Sequence, residues 1–330
     1  MTNSLELGKD SWWPPEEAAA QEFVRYSDDS DLKTLRRNFD FVTMSSKEFV
    51  SGAESGGKFF RAISSAVCSG TPASFIRLGD ADGNVLFSML DRYPSLAEYC
   101  SQKISKIYFG NNNLMFDERR FFAEIILEAL ADADGIGAPE WGTIEASFST
   151  PYPSLDVRGM CGMRAVYTYL AEKFDLNLIN NACWSSTWYS RSLLPHYDRL
   201  MSGQRYVGFI TCYDNLATLW KQRANIGEVE TYLVPMQSSI AYQTKRSPHM
   251  GKDIGHYPET YNKIMEKIRP PYQGALFIVA AGILSKPYCT QIKRRGGVAI
   301  DVGSIADVWM NTKSRPDMGN DITKKWSIAV

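Results

Sequence analysis

Residues 274–303 constrain the fold more than any other part of the chain. Residues 274–281 form an apolar run that predicts a buried strand, and Gly282 marks a turn at its end. Residues 286–295 predict a helix, and residues 297–300 predict a second buried strand. Two strands joined through a helix form a βαβ unit, in which the strands are parallel. The segment therefore predicts a parallel sheet covered by helices.

Apolar strands and amphipathic helices alternate over much of the remaining chain. Helices are predicted at residues 16–26, 59–68, 94–107, 116–131, 162–174, 216–223 and 261–268, and strands at residues 75–78, 134–139, 176–179, 206–212 and 230–234. Residues 51–58 are rich in Gly and Ser and predict a loop. The predicted fold class is α/β, with a mostly parallel, Rossmann-like sheet flanked by helices. We expect one such domain at residues 58–330, and an N-terminal extension at residues 1–57 that packs on its body.

The composition is that of an ordinary soluble globular protein. The 330 residues are 44% hydrophobic and 22% charged, with a formal net charge of −1, so we expect no nucleic-acid partner. The six cysteines are scattered without a C-x-x-C motif, which is typical of free thiols in a reducing compartment. No signal peptide and no membrane-spanning run is evident. We expect a cytoplasmic protein, and peripheral association with a membrane stays open.

The segment Arg-Leu-Gly-Asp-Ala-Asp-Gly at residues 77–83 carries the clearest chemistry. An apolar strand ends on Gly79 and delivers Asp80 and Asp82 to a turn. Open α/β sheets bind ligands at the carboxyl ends of their strands. Mg²⁺ or Mn²⁺ recruits one or two carboxylates together with substrate phosphates. The segment predicts that Asp80 and Asp82 hold such an ion with a diphosphate, or alternatively that they form a solvated turn.

Gly79 and several basic residues are candidates for binding the diphosphate. Arg77 is expected to pair with Asp80, to reach a phosphate, or to lock the carboxylates from inside the sheet. Residues 236–258 form a long polar connection that contains Lys245 and Arg246. Such a basic loop can close over a nucleotide diphosphate and neutralise the charge of the leaving group. A solvated insertion is the alternative.

Two other segments allow competing interpretations. Residues 182–191 are dense in aromatic rings and hydroxyls. Such a mixture is suited to binding carbohydrate, but it is equally consistent with the start of a helix whose rings are buried. The turn at Gly282 invites a dinucleotide site, as in Rossmann oxidoreductases and methyltransferases. It lacks the G-x-G-x-x-G spacing, so this reading is the weaker one.

Two motifs together resemble the GT-D class of bacterial glycosyltransferases. These are Arg-Leu-Gly-Asp-Ala-Asp at residues 77–82 and the strand–turn–helix–strand that ends in Asp-Val-Gly-Ser at residues 301–304. Members of the class carry Arg-Phe-Gly-Asp-Gly-Glu-like and Asp-Ile-Gly-His segments, so Asp82 stands in place of Glu and Ser304 in place of His. The resemblance implies a GT-D-like sheet and a sugar-nucleotide-dependent transferase, with a divalent cation at Asp80 and Asp82.

The residues and the resemblance together predict a metal-dependent, hexosyltransferase-like enzyme. It would move a sugar from a nucleotide diphosphate sugar to a glycan or glycoconjugate acceptor, such as a bacterial surface polysaccharide or glycoprotein. Glu140, His196, Asp301 and Asp307 are candidates for a general base, and Asp301 and Asp307 are favoured because they follow the strand nearest the site. The alternatives are another metal-dependent enzyme, such as a phosphohydrolase or nucleotidyltransferase, and a non-catalytic relative that binds a nucleotide.

Overall fold

The strands of the molecule build one parallel sheet. The computed structural model describes residues 16–27, 29–45, 49–50, 53–108, 116–149, 156–179, 181–237, 255–314 and 320–329. Within these ranges the strands are β1 (Phe49–Val50), β2 (Ala73–Arg77), β3 (Gly135–Ala138), β4 (Cys183–Ser186), β5 (Tyr206–Thr211), β6 (Glu228–Leu233), β7 (Leu276–Val279) and β8 (Val298–Asp301). They lie in the order β1-β4-β3-β2-β8-β7-β5-β6, and every pairing is parallel. The predicted fold class is confirmed.

Helices connect these strands and cover the sheet. They are α1 (Glu17–Tyr26), α2 (Asp29–Ser45), α3 (Ala53–Ser69), α4 (Asp80–Phe87), α5 (Pro94–Tyr108), α6 (Phe116–Asp132), α7 (Trp141–Ser149), α8 (Val157–Lys173), α9 (Tyr189–Ser192), α10 (Tyr197–Met201), α11 (Leu216–Ala224), α12 (Tyr261–Lys267), α13 (Ser285–Arg294), α14 (Ile305–Trp309) and α15 (Asn320–Trp326). None of the helices in the described ranges is both long and apolar enough to cross a bilayer.

The central strands are buried along their whole length and are mostly apolar. Every residue of β3, β5, β7 and β8 is buried. Such continuous burial is typical of parallel strands, whose crossover helices shield both faces from water. β6 lies at the edge of the sheet, and its first four side chains alternate between exposed and partly buried positions.

The loop predicted at residues 51–58 is wrong, because α3 begins at Ala53. Gly56 lies inside that helix, where a Cβ atom would overlap the main-chain carbonyl of Ser192. This glycine allows α3 to approach α9 closely, so its role is packing and not chain reversal. The glycine-rich composition therefore misleads a prediction that is made from turn propensities alone.

The strand predicted at residues 176–179 is also wrong, because Leu176–Ile179 forms a 3₁₀ helix. The position in the sheet belongs to β4, which begins four residues later and pairs with β3 on one side and β1 on the other. A short apolar run can be buried equally well in a strand or a helical turn, so the pattern does not distinguish them.

The turn predicted at Asp80 and Asp82 is the first turn of α4. Gly83 follows within the helix, where a Cβ atom would overlap the carbonyl oxygen of Gly162 in α8. The two helices can approach this closely because both carry glycine at the contact. The solvated-turn alternative is therefore wrong, since Asp82 is only 3% exposed.

The described N-terminal residues pack against the rest of the chain. α1 lies on α5, and α2 lies on α8. The carboxylate of Glu22 in α1 accepts a hydrogen bond from the amide of Leu96 at 2.8 Å. β1 pairs with β4 as an edge strand of the sheet. The domain boundary after residue 57 stays a prediction.

Candidate functional site

A cavity of about 330 Å³ lies at the carboxyl edge of the sheet. Most of its walls come from the ends of five neighbouring strands, β2, β8, β7, β5 and β6, and from the segments that follow them, and α5 and α8 add Tyr108 and Arg158. This edge is where open α/β sheets bind ligands, because the loops after parallel strands meet there. Among the sequence candidates that the structure describes, Arg77, Gly79, Asp80, Asp82, Asp301 and Asp307 all line this cavity.

Asp80 is paired with an arginine from another helix. The Nη1 atom of Arg158 in α8 lies 2.7 Å from Oδ2 of Asp80, and Nη2 lies 3.6 Å from Oδ2 of Asp156. Burial opposes the charge of Arg158, but the two carboxylates outweigh burial and raise the pKa of the guanidinium. The amide of Asn84 donates to the main-chain oxygens of both Asp80 and Arg158, at 2.7 and 2.8 Å, and so holds the two helices in register.

Asp82 and Asp301 share one lysine. Nζ of Lys286 lies 2.9 Å from Oδ2 of Asp82 and 3.3 Å from Oδ2 of Asp301, and all three side chains are at most 5% exposed. Burial raises the pKa of Asp82 and outweighs the attraction of Lys286. Burial by itself would lower the pKa of Lys286, but the two carboxylates outweigh it and raise that pKa.

One oxygen of Asp82 lacks a partner. Oδ2 accepts hydrogen bonds from the amide of Gly79 at 2.8 Å and from Lys286, whereas Oδ1 is buried and has no hydrogen-bond partner among the described residues. A buried polar atom without a partner is costly and calls for an explanation such as a bound ion. Gly79 uses its amide within the protein, where Asp82 caps the start of α4.

Asp301 is fixed from two directions. Its Oδ1 atom accepts a hydrogen bond from the amide of Gly303 at 3.0 Å, and its main-chain oxygen accepts one from the hydroxyl of Tyr189 at 2.9 Å. Together with Lys286, these contacts engage both carboxylate oxygens. Asp301 is therefore held in place by the protein, and its role as a general base stays a prediction.

Arg77 lies beside the turn at Gly303 and does not pair with Asp80. Gly303 has a φ of 55°, and a Cβ atom there would overlap the guanidinium of Arg77. Nη1 of Arg77 donates to Oγ of Ser190 at 3.0 Å, and Nε is buried without a hydrogen-bond partner in the part of the chain that is described. Arg77 therefore lines the cavity and has one buried N–H donor that no described residue satisfies.

Asp307 is oriented by a tyrosine. The hydroxyl of Tyr213, which follows β5, donates to Oδ1 of Asp307 at 2.8 Å. Burial and the nearby Asp307 carboxylate raise the pKa of Tyr213, so its hydroxyl stays protonated and keeps donating. A carboxylate that is held in this way at a cavity has the arrangement of an oriented general base.

The lining of the cavity also includes apolar and aromatic residues, which we call the aromatic wall, in addition to the charged side chains, which we call the charged wall. Tyr108 at the end of α5 packs over Gly282, whose φ is 61° and where a Cβ atom would lie 2.6 Å from the tyrosine ring. The side-chain amide nitrogen of Gln237 is also close, at 3.3 Å from the position of the same Cβ atom. His256 is also buried at this wall, and burial lowers its pKa to about 3, so the ring is neutral near pH 7.

The remaining predicted site residues are not among the described residues of the cavity. Lys245 and Arg246 lie outside the described residues, so their roles stay predictions. Glu140 and His196 are not part of the cavity wall, and the His196 ring stacks on Phe60 with centroids 4.8 Å apart. Trp184 and Tyr189 are fully buried, which supports the buried-ring interpretation of residues 182–191.

Three residues of the site belong to no motif that marks them as functional in the sequence. Arg158 comes from the middle of the chain, Lys286 from the first turn of α13, and Tyr213 from the segment after β5. Lys286 and Tyr213 do follow predicted strands, which places them at the carboxyl edge of the sheet. For Arg158 we find no such signal, because its position depends on how α8 packs against α4.

The residues present fit a divalent cation. The described charged side chains of the cavity are five aspartates (80, 82, 156, 301 and 307) and three cations (Arg77, Arg158 and Lys286), an excess of negative charge. The described residues contain no cluster of three or more His, Cys, Asp or Glu that could hold a metal by itself. Mg²⁺ and Mn²⁺ do not need one, because they take one or two carboxylates and complete their shell with phosphates and water.

Comparison with known proteins gives similarity in structure only. No family model matches the sequence, and no curated protein matches it. A structure of domain of unknown function 1792 is 13% identical with a TM-score of 0.44, and covers 82% of this chain and 83% of its own. A second, described as having a distinct glycosyltransferase fold, is 12% identical with a TM-score of 0.43 and the same coverage. A third, described as a new glycosyltransferase from Streptococcus sanguinis, is 11% identical with a TM-score of 0.40, and covers 75% of this chain and 81% of its own.

The descriptions of two of these structures name a glycosyltransferase or its fold. A likeness of this size concerns the fold alone and establishes neither a family nor an activity. The function proposed below therefore depends on the residues of the cavity.

Proposed function

We propose that this protein is a glycosyltransferase that takes its sugar from a nucleotide diphosphate sugar and transfers it to a glycan or glycoconjugate. The observation that carries the proposal is a cavity whose lining combines charged side chains with apolar and aromatic ones. A nucleotide diphosphate has the same two kinds of surface, since it joins a highly charged diphosphate to a flat, weakly polar base. Pockets that bind such ligands combine apolar walls with a few placed polar groups.

The charged wall is suited to the diphosphate. Arg77 and Arg158 each present a guanidinium, and Lys286 presents an ammonium at the first turn of α13. Guanidinium groups bind phosphate oxygens bidentately, and α13 adds the positive end of its helix dipole. Mn²⁺ or Mg²⁺ held by Asp80 and Asp82 would supply charge stabilisation for the departing diphosphate.

The aromatic wall is suited to the nucleoside. The ring of Tyr108 offers a face on which a base can stack, and the amide of Gln237 offers both a donor and an acceptor for the edge of a base. Neutral His256 adds a polar group without adding charge. Gly282 permits this arrangement because any side chain there would displace the Tyr108 ring.

Asp307 is the residue that we assign to the acceptor. In transfer, the acceptor oxygen bonds to the anomeric carbon while the bond from that carbon to the diphosphate oxygen breaks. The nucleoside diphosphate leaves with the bonding electrons, and the acceptor proton passes to Asp307. Tyr213 holds the carboxylate for this step through its hydrogen bond of 2.8 Å.

Ligand binding tests the donor part of the proposal. A thermal-shift screen would compare nucleoside diphosphates, nucleotide sugars and a dinucleotide, each with and without Mn²⁺. A ligand at a hundredfold excess over its Kd stabilises the protein by about 2.7 kcal/mol, which gives a clear shift. We expect a Mn²⁺-dependent shift with one nucleoside diphosphate and its sugar conjugates, weakened in Tyr108→Ala and in Asp80→Asn. Glu140→Gln, which lies outside the cavity wall, is the matched control.

Product analysis separates the transferase from the other candidates. A transferase releases an intact nucleoside diphosphate and moves the sugar to an added glycan, whereas a phosphohydrolase cleaves the diphosphate itself. A nucleotidyltransferase forms a nucleotide sugar from a nucleoside triphosphate and a sugar phosphate. A shift with the dinucleotide alone would favour the Rossmann alternative, and no shift with any compound would contradict the proposal.

A further inference from the structure

Lys286 occupies the middle of the acidic part of the cavity. Its ammonium lies 2.9 Å from Asp82 and 3.3 Å from Asp301, so one positive charge serves two buried carboxylates. Its side chain is 5% exposed, yet it lines the cavity together with both aspartates. The carboxylate that we assign to a metal ion is therefore already paired with a cation that belongs to the protein.

We propose that Lys286 is a resident cation that opposes the binding of a divalent metal ion to Asp82 while no diphosphate is bound. Lys286 uses Oδ2 of Asp82, and Oδ1 has no hydrogen-bond partner among the described residues. A metal ion that binds Oδ1 shares this carboxylate with the ammonium, and the two positive charges repel each other. In a buried site this repulsion is only weakly screened by salt.

A diphosphate removes the conflict between the two cations. Its negative oxygens can contact the metal ion and the ammonium at the same time, so the repulsion turns into a shared attraction to the ligand. Lys286 can follow the ligand because its ammonium sits on a flexible four-carbon stem, while Asp301 remains as its second partner. Metal binding thus becomes conditional on the diphosphate. This second step rests on the proposed function, whereas the opposition to the metal alone does not.

Titration of the protein with Mn²⁺ alone tests the inference without any nucleotide. Lys286→Met removes the charge and keeps much of the side-chain length, so we expect Mn²⁺ to bind about tenfold more tightly than to the wild type, a normal size for coupling between sites. Lys286→Arg keeps the charge and should bind Mn²⁺ as weakly as the wild type. Lys293→Met is the matched control, because Lys293 lies in the same helix and pairs with Asp134 at 2.8 Å, outside the cavity wall.

Isothermal titration calorimetry or electron paramagnetic resonance of Mn²⁺ gives the affinities, and circular dichroism checks that each variant is folded. Equal or weaker Mn²⁺ binding by folded Lys286→Met would overturn the inference, even if the protein proves to be a glycosyltransferase. If no nucleotide binds but Lys286→Met binds Mn²⁺ more tightly than the wild type, the proposed function is overturned. The inference that Lys286 opposes metal binding at Asp82 would still hold.

A measurement on the wild type covers the case in which Lys286→Met does not fold. Amine-reactive labelling with peptide mass spectrometry reports how strongly each lysine is held in its ion pair. At saturating Mn²⁺ we expect labelling of Lys286 to rise severalfold relative to Lys293, because the metal ion weakens its pairing with Asp82. Unchanged relative labelling would contradict the inference.

Discussion

Gly83 of α4 and Gly162 of α8 lie back to back, so that a Cβ atom on either residue would overlap a main-chain carbonyl of the other helix. This contact lets α8 place Arg158 beside Asp80 at 2.7 Å. The geometry of the charged wall therefore depends on two residues that have no side chain. It also explains why the glycine after Asp82 belongs to a helix and not to a turn.

Gly83→Ala should destabilise the protein. Overpacking a close contact costs about 1–3 kcal/mol, because the backbones must separate to admit the methyl group. Chemical denaturation would measure the loss, and the affinity for nucleoside diphosphate should fall with it as Arg158 moves from Asp80. Gly142→Ala in α7 is the control, since its Cβ would meet nothing within 4 Å. That change should be neutral or slightly stabilising, and equal losses in both variants would contradict the packing explanation.

Asp82→Asn should cost more stability than Asp80→Asn. Removing one partner of a buried ion pair costs about 3–5 kcal/mol of stability. We expect the loss in Asp82→Asn to lie towards the lower end of that range, because Lys286 keeps Asp301 as a partner. Asp80 has a side chain that is 22% exposed, and its partner Arg158 retains Asp156. Urea titrations of the two variants at pH 7 give the comparison. A larger loss in Asp80→Asn would show that the Asp82–Lys286 pair contributes less than its burial indicates.

His256→Gln should flatten the acid side of the stability profile. Burial lowers the pKa of His256 from 6.5 to about 3, so the unfolded chain binds a proton in this range that the folded protein does not. The stability from this group is present above pH 6.5 and is lost as the pH falls towards 3, by up to about 1.4 kcal/mol per pH unit. Glutamine does not titrate and can retain a hydrogen bond to Tyr288.

Chemical denaturation at several pH values between about 4 and 7 would measure this slope, over a range in which the protein must remain folded without denaturant. The raised pKa of Asp82 acts in the opposite direction, since its contribution falls as the pH rises above 3.8. The difference between the wild type and His256→Gln isolates the histidine. Tyr288→Phe removes the hydrogen bond of 3.3 Å and leaves the ring buried, so it should keep the wild-type slope. Parallel curves for the wild type and His256→Gln would contradict the prediction.

Asp307→Asn should slow transfer without weakening donor binding. A positioned general base contributes about 10²–10⁴-fold to rate, so kcat should fall within that range. Tyr213→Phe removes only the hydrogen bond that orients the carboxylate, and we expect a smaller fall, about tenfold, with KM for the donor unchanged. Steady-state kinetics with an identified donor and acceptor give both constants. A fall in donor affinity that accounts for the whole effect would place Asp307 in donor binding instead.

The parallel sheet and its ligand-binding edge could be predicted from the sequence. Strands β2, β7 and β8 are buried and mostly apolar. Each is followed within three residues by a glycine, at positions 79, 282 and 303, and then by a helix. These signals are local, because burial on both faces selects apolar residues along a single segment. The same reasoning placed Asp80, Asp301 and Asp307 at one edge, since residues that follow parallel strands meet there.

Which side chains act together depends on the packing of distant parts of the chain. The pairing of Asp80 with Arg158, of Asp82 with Lys286 and of Asp307 with Tyr213 joins residues that are 78, 204 and 94 positions apart in the chain. No local pattern encodes these distances, because they follow from how α4, α8 and α13 pack on the sheet. Glycines 56 and 83 were misread for the same reason: a glycine that permits close helix packing and one that permits a turn are identical in the sequence.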